Sequence, residues 1–300
     1  MSNVALKNTP FLEEEEKAVR KRSQAGMVFR RLLKDPVSVV CMVVLLLMIL
    51  SAIFAPLIAP YHYAEQDLLS IRQGPSAEHW LGTDELGRDI LSRLIYGGRN
   101  SLIIGVLSTL GAAIVGIPLG LIAGYTGKTA DNIIMRIMDI MQAIPSTLLA
   151  ISISAALGNG IQNCIIALAV ARITGFTRMT RAASLNVAGM DYVEAAKAMD
   201  LKKKDILIKH VLPNSLSPLI VQGTMFVASA IMVSAMLSFI GLGVQPPEAE
   251  WGAMLSAGRS ALRHSPHLVI APLIAILILV LSLNLLGDGL RDALDPKLKK

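Results

Sequence analysis

Six stretches of the chain are apolar over about the 20 residues of helix that cross a bilayer core. They are 36–59, 101–125, 132–157, 161–176, 218–243 and 268–286. Polar segments separate them, which predicts an all-α, polytopic membrane protein: six transmembrane helices in one domain over 36–300, behind a polar tail over 1–35. In the tail, Glu13 and Glu16 stand four residues before Lys17 and Arg20, the spacing of helical ion pairs, and Arg30, Arg31 and Lys34 follow at the membrane edge.

The only long polar segment between two spans on the tail's side runs over 191–214, DYVEAAKAMDLKKKDILIKHVLPN. Tyr192, Ala195, Ala196 and Met199 recur at i, i+3, i+4 and i+7, one helical stripe, with Glu194, Lys197 and Asp200 off it. LKKKD breaks the pattern, and a second short helix is expected from Asp205 until Pro213 stops it. Two adjacent alanines on the stripe would let another surface approach the backbone closely, as in a helix that docks into a groove. On pattern alone the stretch reads equally as a solvated loop with a chance stripe.

Other punctuation refines the layout. Gly116, Gly120 and Gly124 repeat every four residues around Pro118, a small-residue ridge for close helix packing. Arg136 and Asp139 lie three apart in the third span, a candidate gate or ion pair, and Pro145 is expected to kink that span. Gly158-Asn159-Gly160 predicts a tight turn into a short fourth span broken by Arg172. The fifth span carries Gln222, Thr224, Ser229, Ser234 and Ser238, which suit hydrogen bonds between helices. Gly287 and Gly289 are expected to end the last helix. In the connector over 60–100, Asp84, Arg88 and Asp89 read as a salt-linked turn, and in the later one Trp251 suits a membrane interface.

Composition agrees with membrane residence: 300 residues, 53% hydrophobic and only 17% charged, with mean hydropathy +0.58. The first apolar run lies behind a long charged tail and is too long for a cleaved signal core. Of the 28 Lys and Arg, 22 fall on one side of the six spans and six on the other. The positive-inside rule therefore places both termini and 191–214 in the cytoplasm. Charges distributed between spans make no nucleic-acid face. Cys41 and Cys164 sit in apolar runs and read as buried small hydrophobes, so no metal or disulfide is indicated. Gly127-Lys128-Thr129 imitates the end of a phosphate loop, but the glycine needed five residues earlier is Ile122 and no strand precedes it.

Glu194-Ala195-Ala196 followed by Leu212-Pro213 resembles the EAA loop of ABC importer membrane subunits, the cytoplasmic segment that grips the ATPase. The general pattern has Gly where this chain has Asp200 and Ile where it has His210; Asp tolerates left-handed backbone better than most residues. With HWLGTDELGRDILSRLIYGGRNSL, GLGVQPPEAEWGAML and NLLGDGLRDALDP, the chain from Pro36 onward resembles the C-type permease subunit of dipeptide, oligopeptide and nickel ABC importers.

That resemblance implies a type I ABC importer-like fold with a cytoplasmic EAA coupling loop, in a bacterial or archaeal cytoplasmic (inner) membrane. It implies a transport subunit without catalytic residues, forming half of a path for peptides. The implied partners are a homologous B-type permease in a heterodimer, two cytoplasmic ABC ATPase subunits, an extracellular or periplasmic substrate-binding protein, and membrane lipid. No cofactor is expected on this chain; ATP and Mg would be held by the ATPases. Glu194 and Lys197 would make polar contacts to the ATPase, and Ala195 and Ala196 would form the close-approach surface. Met199, Asp200, Leu212 and Pro213 complete the coupling segment, with Lys202 to Lys204 at its rim.

The rival reading is a proton-coupled secondary carrier, with Asp139 as the proton site. An intramembrane hydrolase lacks HExxH, GxSxG and any span pairing Ser or Asp with His. Related importers carry peptides, nickel chelates, glutathione or oligosaccharides, so residue type alone leaves the solute open.

Overall fold

The computed structural model describes residues 24–294, and their regular structure is helical with no strand beyond one isolated bridge, Thr83 to Asp89. The expected Glu13–Lys17 and Glu16–Arg20 pairs lie outside the described residues. A short amphipathic helix, α1 (Gln24–Leu32), leads into α2 (Pro36–Ile53). Asp35 caps α2 by accepting from the Val37 and Ser38 amides, with Pro36 preset for the first turn. Hydrogen bonds from the Ser38 hydroxyl and amide hold the Asp35 carboxyl below its ordinary range. A single turn, α3 (Ala55–Ile58), then enters the long connector.

The connector is stitched to the head of α4 (Ile90–Tyr125), a 36-residue helix that starts eleven residues before the expected apolar run. Asp84 pairs with Arg88 at 2.7 Å, as the salt-linked turn required, while Asp89 caps α4 through the Ser92 amide and meets His79 at 3.0 Å. Trp251 is a correction: it is 3% exposed, packed on Gly97 and Gly98 with its indole donating to the Leu94 carbonyl at 2.8 Å. Paired glycines leave a slot for the ring, and the buried indole N–H finds its acceptor in the slot.

The glycine ridge behaves as expected, and its partner is α7 (Ile161–Ala188). A Cβ on Gly120 would stand 2.5 Å from the Thr177 carbonyl oxygen and from Thr180 Cβ, and one on Gly124 would stand 2.7 Å from Ser184 Cβ. α7 is a correction too, since the helix continues twelve residues beyond the apolar segment. Thr177, Thr180 and Ser184 are fully buried on the ridge, which keeps this less apolar half in place.

The third apolar segment is two helices, α5 (Lys128–Gln142) and α6 (Ser146–Leu157), meeting at 80°. Pro145 has no N–H to continue the ladder and disfavours helical backbone at the residue before it, and here the expected kink is a break. Gly158 and Gly160 both take positive φ in the turn that follows.

After α8 (Asp191–Ala198) and α9 (Lys203–Ile206), a π-turn at Leu207–Val211 leads into α10 (Leu212–Phe239). Pro213 therefore does not stop the second helix: the wider i→i+5 turn sits just before it and absorbs the irregularity. α11 (Trp251–Gly258) and α12 (His267–Leu294) are the last helices of the described residues. Gly287 and Gly289 lie inside α12, where a Cβ at 287 would meet the Thr224 hydroxyl at 2.8 Å and one at 289 would run into the Ser38 hydroxyl. Their absent side chains serve close packing against α10 and α2 instead of a helix stop. Arg31 of α1 donates to the Ala293 carbonyl at 3.0 Å, a cation at the C-terminal end of α12.

Among the described residues, four helices are long and apolar enough to cross a membrane: α2, α4, α9 through α10, and α12; the bent α5–α6 pair makes up to five. The fourth expected span, 161–176, falls in α7, which carries Arg172, Arg178 and Arg181. Large apolar side chains stay exposed in helical registers, such as Leu273, Leu277 and Leu281 on α12, as lipid-facing stripes do. Cys41 and Cys164 are buried.

Candidate functional site

The polar stretch folds as a helix with one face on its own chain and one face free. Val193 and Ala196 are 0% and 1% exposed and pack with Leu121 of α4, Val187 of α7, Ile206 and Val211. Asp191 and Glu194 lie in the first turn of α8 and Lys197 in the last, each on the favourable end of the helix dipole. The helix ends in a Schellman motif: the Leu201 amide donates to the Ala196 carbonyl at 3.3 Å and the Asp200 amide to the Lys197 carbonyl at 3.0 Å. Asp200 takes φ 55°, the left-handed conformation expected of it in the place of a glycine.

The expected stripe splits. Tyr192, Ala195 and Met199 are exposed, whereas Ala196 faces inward and belongs to the fold, not to a docking surface. The pair Val193 and Ala196, spaced i, i+3, was the sequence signal for the inward face. Glu194 is exposed on the free side. Lys197 turns back instead: its ammonium lies 5.5 Å from the Tyr125 ring centroid and 3.5 Å from the Ala188 carbonyl oxygen. Leu212 is half-buried against the same apolar cluster, Pro213 is exposed, and Lys202 to Lys204 are exposed beside α8.

Arg136 and Asp139 do not pair. Asp139 accepts from Arg178 of α7 at 2.5 Å, and Asp131 accepts from Arg181 at 2.6 Å, so two ion pairs clamp α5 to α7. Arg136 is exposed and makes no ion pair among the described residues. Spacing along one helix reveals neighbours on that helix only; Arg178 lies 39 residues away and came within reach through the packing of α7.

Behind the break between α5 and α6 lies a cavity of about 410 Å³ lined by Gln142, Pro145, Ser146, Arg172, Arg178 and Phe226, among others. The Arg172 guanidinium lies 5.1 Å from the Phe226 ring centroid and donates to the Ser229 hydroxyl. In the sequence Arg172 reads only as an interruption of a span. Its place inside an apolar run was the available signal.

Residues 116–300 match the family of the binding-protein-dependent transport system inner membrane component. The chain belongs to this family. Residues 23–75 match the N-terminal transmembrane domain of oligopeptide transport permease C. The chain is 46% identical over 292 residues to a dipeptide transport system permease of Alkalihalophilus pseudofirmus, covering 97% of this chain and 95% of that one. It is 49% identical over 261 residues to a di/tripeptide transport system permease of Pseudomonas aeruginosa, with 85% and 86% covered. Against a glutathione transport system permease of Pectobacterium atrosepticum it is 46% identical, with 90% of each chain covered. An inward-facing structure of the MetNI methionine ABC transporter has the same fold: TM-score 0.56, 21% identity, 68% of this chain and 97% of that one. This binding-protein-dependent permease is thus an ABC importer membrane subunit in fold and family.

Proposed function

We propose that this permease forms half of an ATP-driven path for short peptides. In this reading it pairs with a homologous permease, receives solute from an external binding protein, and is driven by two ABC ATPases docked on α8. Six crossings, with α7 and the α5–α6 pair each counted as one, would bring both ends of the chain and α8 to one side of the membrane, and the distribution of Lys and Arg supports the cytoplasm as that side. The peptide solute is carried over from the dipeptide and di/tripeptide relatives.

The observation that carries the reading is the two-faced α8. Its inner face is keyed by Val193 and Ala196 into a cluster shared by α4, α7 and the π-turn, while Tyr192, Glu194, Ala195 and Met199 are free. ATP-driven closure pulling on the free face would move α4 and α7 as one packed unit, because the glycine ridge leaves no room for slip between them. The energy for alternating access then comes from the ATPase chains.

Two tryptophan substitutions test it. Ala195→Trp changes an exposed site, where folding cost stays within about 0.5 kcal/mol, so the permease should insert and assemble with its partner permease. It should lose the ATPase subunits on purification or lose substrate-stimulated ATP hydrolysis. Ala196→Trp overfills a closed cluster at about 1–3 kcal/mol or more and should lower the stability of the chain itself. Full transport by Ala195→Trp removes α8 as the coupling surface.

A further inference from the structure

The cavity at the α5–α6 break holds an arginine that has no carboxylate partner among the described residues. Arg172 lies eleven residues past Ile161, the first residue of α7, about 16 Å along a helix that rises about 1.5 Å per residue. The hydrocarbon midplane is about 15 Å from either edge, so a membrane-spanning α7 carries Arg172 at mid-depth. A guanidinium there is costly unless it meets an anion or water. Its observed partners are a neutral hydroxyl, Ser229, and the face of Phe226. Among the described residues the two carboxylates of α5, Asp131 and Asp139, are taken by Arg181 and Arg178.

The surroundings hold the guanidinium in place instead of hiding it. Gly175 admits the Phe226 ring, which a Cβ at 175 would meet at 2.6 Å, and the ring in turn supports Arg172. The walls mix apolar side chains with Gln142, Ser146 and Arg178, and Arg178 is itself paired with Asp139. A volume of about 410 Å³ lies in the range of small-molecule sites and exceeds what one or two ordered waters need.

We propose that this cavity is a transit site for the carboxylate of the solute, and that Arg172 receives it through a charge-assisted, planar hydrogen-bonded pair. The inference rests on the peptide-importer reading given above, since a free peptide carries such a carboxylate at its C-terminus. One arginine, with its second cation held by Asp139, binds strongly enough to draw the anion from the outer mouth and weakly enough to release it. Ser229 is a positioning residue that fixes the fork of Arg172.

The test uses the whole complex in liposomes, with its binding protein outside and ATP inside, and compares uptake of dialanine with uptake of dialanine amide. Binding-protein occupancy is measured separately for each and set equal, so that recognition outside the membrane drops out. Wild type should take up dialanine about tenfold faster than the amide, the scale of one hydrogen bond to a charged group. Arg172→Gln should bring the ratio close to one by slowing dialanine alone. Arg172→Lys should keep a clear preference for the acid, and Ser229→Ala, a small change that leaves the charge, should reduce the preference severalfold. The ratio is internal to each preparation and does not depend on how much complex assembles.

Equal slowing of both peptides by Arg172→Gln, or an unchanged ratio, would make Arg172 structural or lipid-binding and overturn the proposal. An unchanged ratio in Ser229→Ala, where Arg172 keeps its charge, would overturn the positioning role. Absence of any peptide uptake by the wild-type complex, with binding-protein-stimulated ATP hydrolysis intact, would instead overturn the peptide reading and remove this proposal with it.

Discussion

Asp139 is held by a cation from another helix, and that decides what its loss should do. The Asp139 and Arg178 side chains remain 53% and 42% exposed, so their ion pair contributes at the weak end, about 0–1 kcal/mol. Asp139→Asn should therefore leave uptake within about twofold of wild type. Uptake should stop when ATP is depleted and persist when the proton gradient alone is collapsed. A carrier would need this carboxylate as its proton site, whereas here it is held in an ion pair with Arg178. Uptake that follows the proton gradient at constant ATP and vanishes in Asp139→Asn would restore that reading. At this scale the left-handed Asp200 was legible through the resemblance to EAA loops, which have Gly at its place, and because a short polar side chain tolerates that backbone. The partner of Asp139 was not, because Arg136 and Arg178 are chemically equivalent until helix packing selects one.

Between elements, the α4–α7 contact is set by glycine in a way a matched pair of substitutions exposes. Gly120→Ala would place a Cβ 2.5 Å from Thr177 backbone oxygen, while Gly223→Ala on α10 adds a Cβ with nothing within 4 Å. The same methyl group should then have opposite effects. Gly120→Ala should cost about 1–3 kcal/mol by forcing the helices apart. Gly223→Ala should stabilise by up to about 1 kcal/mol by restricting the unfolded chain. Thermal denaturation of the purified complex checks both; equal effects would contradict the packing. The ridge itself was visible as a four-residue repeat. The break between α5 and α6 was visible only as a proline, because 132–157 is apolar on both sides of it and hydropathy does not record direction.

For the whole molecule, the distribution of Lys and Arg predicts sidedness. A cysteine replacing Gly74 should react with an impermeant thiol reagent added outside intact cells; one replacing Lys203 should react only after permeabilisation. Gly74 has open space around it and Lys203 is exposed at the start of α9, so neither readout is limited by burial. Labelling of Lys203→Cys from outside would invert the arrangement and take α8 away from any cytoplasmic ATPase.

Hydropathy and turn residues by themselves determined that this chain is a helical membrane protein, where most of its helices lie, and that 191–214 is set apart from them. Burial in lipid leaves a helix little choice but to satisfy its own backbone, so apolar length is enough to announce it. Tertiary structure decided which side of each helix is used. Ala196 and Ala195 are neighbours of one chemistry, yet one completes a core with Val193 and the other is free. Gly287 and Gly289, a helix stop by local propensity, became contact points on α10 and α2. Arg172, an interruption in a hydropathy trace, became the wall of a cavity only when Phe226 and Ser229 came to it from 54 and 57 positions further along the chain. Local rules specify a residue's preferred backbone; the facing helix specifies what its side chain meets.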